Sequence, residues 1–114
     1  MRAAILALIV LATAGSASAE PARCHLEVDG RAYLVGMCNV DRDPFGGVSI
    51  GVGDSKGRNA SPFFAYINRD DSGAYTGNWN GSADSTHAHD GLGTMRREGD
   101  CWINDRARVC ATRR

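Results

Sequence analysis

Cys101-Trp102-Ile103-Asn104-Asp105-Arg106-Ala107-Arg108-Val109-Cys110 is the stretch whose reading decides the fold. Turned back at Asp105-Arg106, it pairs as a hairpin with Trp102 opposite Val109. The same register sets Cys101 directly opposite Cys110, within disulfide reach. Further back, Cys24 and Cys38 bracket a second hairpin that turns at Asp29-Gly30, a dipeptide suited to the two positive φ angles of a type I′ turn. Counting from that turn places Val35, not Cys38, opposite Cys24, so a bulge or bend at Gly36 is needed to bring Cys38 back. Four cysteines admit three pairings, and local register favours Cys24 with Cys38 and Cys101 with Cys110. Each bridge is expected to contribute roughly 3 kcal/mol by restricting the unfolded chain. No Cys-x-x-Cys pair is present, which argues against a zinc cluster built on these thiols.

Between the two hairpins the chain reads as short strands separated by turn residues. His25 to Val28 and Arg31 to Val35 form the first pair, with Leu26, Val28, Tyr33 and Val35 expected on one face. Val48, Ile50 and Val52 alternate with Ser49 and Gly51, the period-2 pattern of a half-buried strand. Pro62 opens Phe63 to Ile67, apolar throughout and expected to be central. Asp71-Ser72-Gly73 turns the chain into Ala74 to Trp79, and Asn80-Gly81 is expected to turn it again as a tight hairpin. Leu92 to Arg97 is a weaker strand. Nothing after residue 19 keeps helical periodicity for more than a turn. The sequence therefore predicts an all-β domain of about seven or eight short antiparallel strands, in a small barrel or sandwich.

The N-terminus sets the compartment. Arg2, the apolar run Ala3 to Ala12 and the small-x-small site Ala17-Ser18-Ala19 predict a signal peptide over 1–19, cleaved before Glu20. The apolar run is too short to span a bilayer. A single β domain over 20–114 then remains, 95 of the 114 residues, and it carries 12 basic and 13 acidic side chains. That balance lacks the basic excess of a nucleic-acid binder. Arg23 beside Cys24 fits no lipoprotein site. The expected protein is periplasmic or secreted, with no membrane span and no lipid anchor, and its partner is an unidentified protein or envelope component.

Two stretches carry candidate chemistry. In Ser85-Thr86-His87-Ala88-His89-Asp90, an extended backbone projects His87 and His89 to one face, where two imidazoles can share a Zn²⁺ or Cu²⁺ ion. Asp90 would add an oxygen or orient a ring, and His25 in the first hairpin is the one further histidine. The competing reading is a polar loop that binds no cofactor. Catalysis is not expected. No Gly-x-Ser-x-Gly frames a serine, the thiols are paired in disulfides, and the loop aspartates resemble turn residues. Binding is the expected class, with Tyr66, Tyr75, Trp79 and Trp102 as aromatic material, although both tryptophans also suit the core.

Several segments in order carry a family resemblance: Cys24-x-Leu26-x-Val28-Asp29-Gly30, Gly36-x-Cys38, Phe64-Ala65-Tyr66, Trp79-Asn80-Gly81, His87-Ala88-His89 and Leu92-Gly93-x-Met95-x-Arg97-x-Gly99-x-Cys101-Trp102. In these the chain resembles a group of small, uncharacterised secreted proteins of alphaproteobacteria. That resemblance implies export and a compact disulfide-bonded domain, and it brings no activity with it. Separately, Asp71-Ser72-Gly73-Ala74-Tyr75 is similar to the Ser-Gly-Ala-basic-Tyr loop of inhibitors of C-type lysozymes, in which a serine and a basic side chain enter the enzyme's acidic cleft. No basic residue stands between Ala74 and Tyr75 here, so Arg69 would have to act with Ser72 and Tyr75.

Overall fold

In a computed structural model that describes residues 19–54 and 56–113, eight antiparallel strands close into a barrel. The strands are β1 (Glu20–Val28), β2 (Arg31–Arg42), β3 (Val48–Ile50), β4 (Ala65–Arg69), β5 (Tyr75–Trp79), β6 (Asp90–Glu98), β7 (Cys101–Ile103) and β8 (Ala107–Thr112). Each pairs with the next, and β8 returns to β1. The expected signal segment falls almost wholly outside the described residues, since only Ala19 of it is included.

Side-chain alternation places the core. Ala22, Cys24, Leu26 and Val28 of β1 point inward and are buried, as are Val48 and Ile50, Ala65 and Ile67, and Val109 and Ala111. An eight-stranded barrel is about wide enough for side chains alone to fill it. Trp102, at 1% exposure, is the largest fully buried side chain of that filling. Gly77 makes room for Met95 and Ile67 in that filling. A Cβ there would stand 2.6 Å from the Met95 sulfur and 3.2 Å from Ile67 Cδ1. At one end Tyr33, Phe63 and Trp79 close the interior, with ring centroids 4.7–6.3 Å apart.

The two cysteine hairpins form as the sequence predicts. Cys101 faces Cys110 and Trp102 faces Val109, with both disulfides made, Cys24 to Cys38 and Cys101 to Cys110. Asp29 (φ 52) and Gly30 (φ 81) take the paired positive φ angles of a type I′ turn. The register irregularity lies closer to that turn than Gly36, because Tyr33 is the extra residue between the Leu26–Leu34 and Glu27–Ala32 pairs. That single insertion moves Val35 to the outer face beside His25, where it is 69% exposed, and puts Leu34 opposite Leu26. Val35 thus leaves the face expected for it. Cys24 then lies opposite Gly36, and the first disulfide joins it diagonally to Cys38 over a Cα separation of 5.9 Å.

Three further expectations are corrected. β3 stops at Ile50 because Gly51 takes φ +80, which leaves Val52 outside the strand. Phe63 to Ile67 is not uniformly central: β4 begins at Ala65 and alternates, with Ala65 and Ile67 buried and Tyr66 outward. Asn80-Gly81 does not make a tight hairpin either. β5 ends at Trp79 and β6 begins at Asp90, so residues 80–89 form a longer connection. Only Gly81 of the pair has positive φ, and Asn80 is spent as a buried polar hub instead.

Candidate functional site

Up-and-down order sends the connections alternately to the two ends of the barrel. One end carries the Asp29-Gly30 turn, residues 51–64, residues 80–89 and the Asn104–Ala107 turn. The opposite end carries residues 43–47, 70–74 and 99–100, together with the start of β1 and the end of β8. Each end is locked by side-chain hydrogen bonds.

At the second end, two connections repeat one motif, Asp-x-x-Gly. In Asp43-Pro44-Phe45-Gly46-Gly47 the Asp43 Oδ1 accepts from the N–H groups of Phe45 and Gly47, at 2.8 and 2.9 Å. In Asp70-Asp71-Ser72-Gly73-Ala74 the Asp70 Oδ1 accepts from the N–H groups of Ser72 and Ala74, at 2.9 and 3.0 Å. Gly46 (φ 103) and Gly73 (φ 90) supply the left-handed residue that ends a three-residue hairpin loop. The same device recurs at Asp54, which accepts from the N–H groups of Lys56 and Arg58 and stands three residues before Gly57. Hydrogen bonds to the charged form hold the Asp70 and Asp54 carboxyls below their ordinary value. Ser72 Oγ, 2.6 Å away, is the main cause at Asp70, and the Arg58 N–H is the main cause at Asp54.

Arg69 lies between the first two of these loops. A Cβ on Gly46 would meet its Cδ at 3.0 Å, and a Cβ on Gly73 its Nη2 at 3.3 Å. It pairs across the strands with Tyr75, and its guanidinium sits 5.9 Å from the centre of that ring. Tyr75 in turn packs edge-on against Trp102 at 5.9 Å. Arg69 makes no ion pair among the described residues. A groove of about 810 Å³ runs between the loops, bounded by Asp43, Phe45, Arg69 and Asp71 among others. Phe45 stands at its rim with 76% of its surface exposed.

Of the partner residues expected from sequence, the structure brings Arg69, Ser72 and Tyr75 to this one end. Ser72 is engaged with Asp70, and Tyr75 is half-buried against the core. Sequence reading did not single out Phe45 as an exposed aromatic, although the signal was present. An aromatic between Asp-Pro and Gly-Gly sits in a turn too short to carry it back to the core.

The expected metal residues lie at the opposite end. His87 and His89 do face each other, their rings stacked at 5.2 Å and 12°. His87 Nδ1 is 2.9 Å from Thr86 Oγ1. Asp90 instead packs its carboxylate over Gly81, filling the space a Cβ there would need. His25 sits on β1, 3.4 Å from Glu27. Among the described residues no three His, Cys, Asp or Glu side chains form a group that could hold a metal ion.

That end is held by two polar latches. Arg106 forms a fork with Asp29, both bonds at 3.1 Å, and its Nη1 donates to the Gly91 carbonyl. The Arg106 hydrogen bond lowers the Asp29 carboxyl below its ordinary range. Asn80, 4% exposed, accepts from the Phe64 N–H and donates to the carbonyls of Pro62, Ser82 and Ser85. It ties the 51–64 connection to the 80–89 connection. Comparisons with protein-family models, curated proteins and solved structures find no match.

Proposed function

We propose that this protein is an exported, disulfide-stabilised binding module whose contact surface is the barrel end formed by residues 43–47 and 70–74. The observation that carries the reading is the pairing of an exposed aromatic, Phe45, with an arginine free of ion pairs among the described residues, Arg69, across a preformed groove. Aromatic and arginine side chains are the residue types that most often dominate protein–protein contacts. The Asp43 and Asp70 caps hold both loops before a partner arrives, which reduces the entropy lost on binding. The barrel interior is filled by its own side chains, which favours contact at an end over an enclosed ligand. Two disulfides suit an oxidising compartment, as does the Ala17-Ser18-Ala19 cleavage site. The function is recognition of a protein or envelope component, not catalysis. To test it, the protein is exported in its host and complexes are sized by native mass spectrometry. Phe45→Ala with Arg69→Ala is expected to remove the complex while the barrel keeps its thermal midpoint. An unchanged complex would refute the surface.

One observation favours a particular partner. Arg69 lies directly across the strands from Tyr75, beside the Ser72 loop, which supports its acting as the basic side chain that the lysozyme-inhibitor resemblance calls for. On this reading Arg69 enters the acidic cleft of a C-type lysozyme. Inhibition of such an enzyme that disappears in Arg69→Ala would support it, and full activity of the enzyme at saturating protein would remove it.

A further inference from the structure

At the end opposite the groove, the connection over 51–64 and the connection over 80–89 flank a separate open pocket of about 350 Å³. Its apolar lining includes Val52, Pro62, Phe64 and Tyr66, the rings of the last two lying 5.7 Å apart. Phe64 and Tyr66 are two residues apart where the chain enters β4, so both project from the outer face, away from the filled core. Around them stand three hydroxyls, of Ser61, Ser85 and Thr86. Among the described residues no charged side chain lines the pocket.

The walls are fixed in advance. Asn80 holds the Pro62 carbonyl and the Phe64 N–H on one side and the Ser82 and Ser85 carbonyls on the other. The hydroxyls are also oriented. Ser61 Oγ accepts from the Phe63 N–H, Ser85 Oγ donates to the His87 carbonyl, and Thr86 Oγ1 meets His87 Nδ1. Each hydroxyl oxygen keeps acceptor capacity for a further donor.

We propose that this pocket binds a neutral sugar ring. A pyranose has an apolar C–H face that can lie on an aromatic ring and a rim of hydroxyls that donate to oxygens such as those of Ser61, Ser85 and Thr86. A charged ligand would lose its hydration with no opposite charge to replace it. The volume lies near the lower end of ligand pockets, roughly 300–1,000 Å³, which suits one or two rings and not a lipid chain. The site is independent of the Phe45 and Arg69 surface and occupies the other end of the barrel.

The test is an amide NMR titration of the exported protein with two neutral disaccharides, N,N′-diacetylchitobiose and maltose. Saturable shifts are expected at Ser61, Phe64, Ser85 and Thr86 with at least one of them. Tyr66→Ala, an outer-face change that leaves the core intact, is expected to weaken that binding by about tenfold. Thr86→Val provides a second variant that removes one hydroxyl without opening space. Phe45→Ala with Arg69→Ala is expected to leave the sugar shifts unchanged, which separates this site from the partner surface. The proposal is overturned by an absence of saturable shifts with both sugars, by equal affinity in Tyr66→Ala, or by shifts confined to residues outside the pocket.

Discussion

Replacing Asn80 tests whether one buried amide organises the loop-bearing end of the barrel. Its side chain makes four hydrogen bonds, from the Phe64 N–H to Oδ1 at 3.0 Å and from Nδ2 to the carbonyls of Pro62, Ser82 and Ser85 at 2.8, 2.8 and 3.2 Å. A typical bond of this kind contributes about 1 kcal/mol net, and the two Nδ2 protons are shared among three acceptors. Asn80→Ala is therefore expected to cost about 3 kcal/mol. In a domain of this size that corresponds to a fall in thermal midpoint of roughly 10–20 °C. Asn80→Asp sharpens the test because it has nearly the same shape. It keeps the acceptor for Phe64 but turns a carboxylate toward three carbonyl oxygens, so near neutral pH it should destabilise at least as much as alanine. Urea unfolding followed by tryptophan fluorescence reads both values, with an unchanged slope showing that stability itself has moved. If Asn80→Asp unfolds within about 0.5 kcal/mol of wild type, like an ordinary surface change, the hub reasoning is wrong.

Trp102→Ala should cost roughly 3–5 kcal/mol, because the side chain is 1% exposed in the barrel core, and iodide should fail to quench it in the folded protein. Acid should loosen the loops. The Asp29, Asp54 and Asp70 carboxyls are all lowered in the folded state, so their stabilisation is present above the ordinary aspartate value near 4. It is lost as pH falls through the lower folded values. Thermal midpoints measured from pH 5 downward should drop, and Asp70→Asn, which keeps an acceptor but does not titrate there, should drop less. Zn²⁺ added to tag-free protein is expected to give the same calorimetric heats for wild type and for His87→Ala with His89→Ala, because the stacked rings lack a third ligand among the described residues. A heat that vanishes in the double variant would restore the metal site.

The all-β class and both cysteine pairings were legible because they depend on local signals: turn dipeptides, period-2 alternation and hairpin register. Where the reading failed, a non-local choice overrode the local one. Asn80-Gly81 has the composition of a tight turn, but the amide gains more from linking two long connections than from reversing the chain between adjacent strands. The bulge at Tyr33 gives no composition signal, because Tyr33, Leu34 and Val35 are equally suited to either face, and only closure of the barrel selects between them. Barrel closure itself is a pairing of β1 with β8, which no short window contains. At the candidate site, Arg69 and Tyr75 were singled out from a five-residue likeness. Their cross-strand contact is local to the β4–β5 hairpin, whereas the groove beside them depends on loop 43–47, far away in sequence. The Asp-x-x-Gly repeat at Asp43, Asp54 and Asp70 stands in the sequence but was not read there, and its shared capping geometry gives three turns the same form.

Site-specific photo-crosslinking in the native host cell tests the central claim most directly, because it reports contact at a chosen residue whatever the partner is. A photoreactive phenylalanine analogue is placed at Phe45 and, as a control, at Thr76, an exposed position on the outer face of β5. A discrete crosslinked product from position 45, weakened by Arg69→Ala and absent from position 76, is the predicted result. Indistinguishable patterns from the two positions, or a position-45 product insensitive to Arg69→Ala, would contradict the assignment of this barrel end as the contact surface.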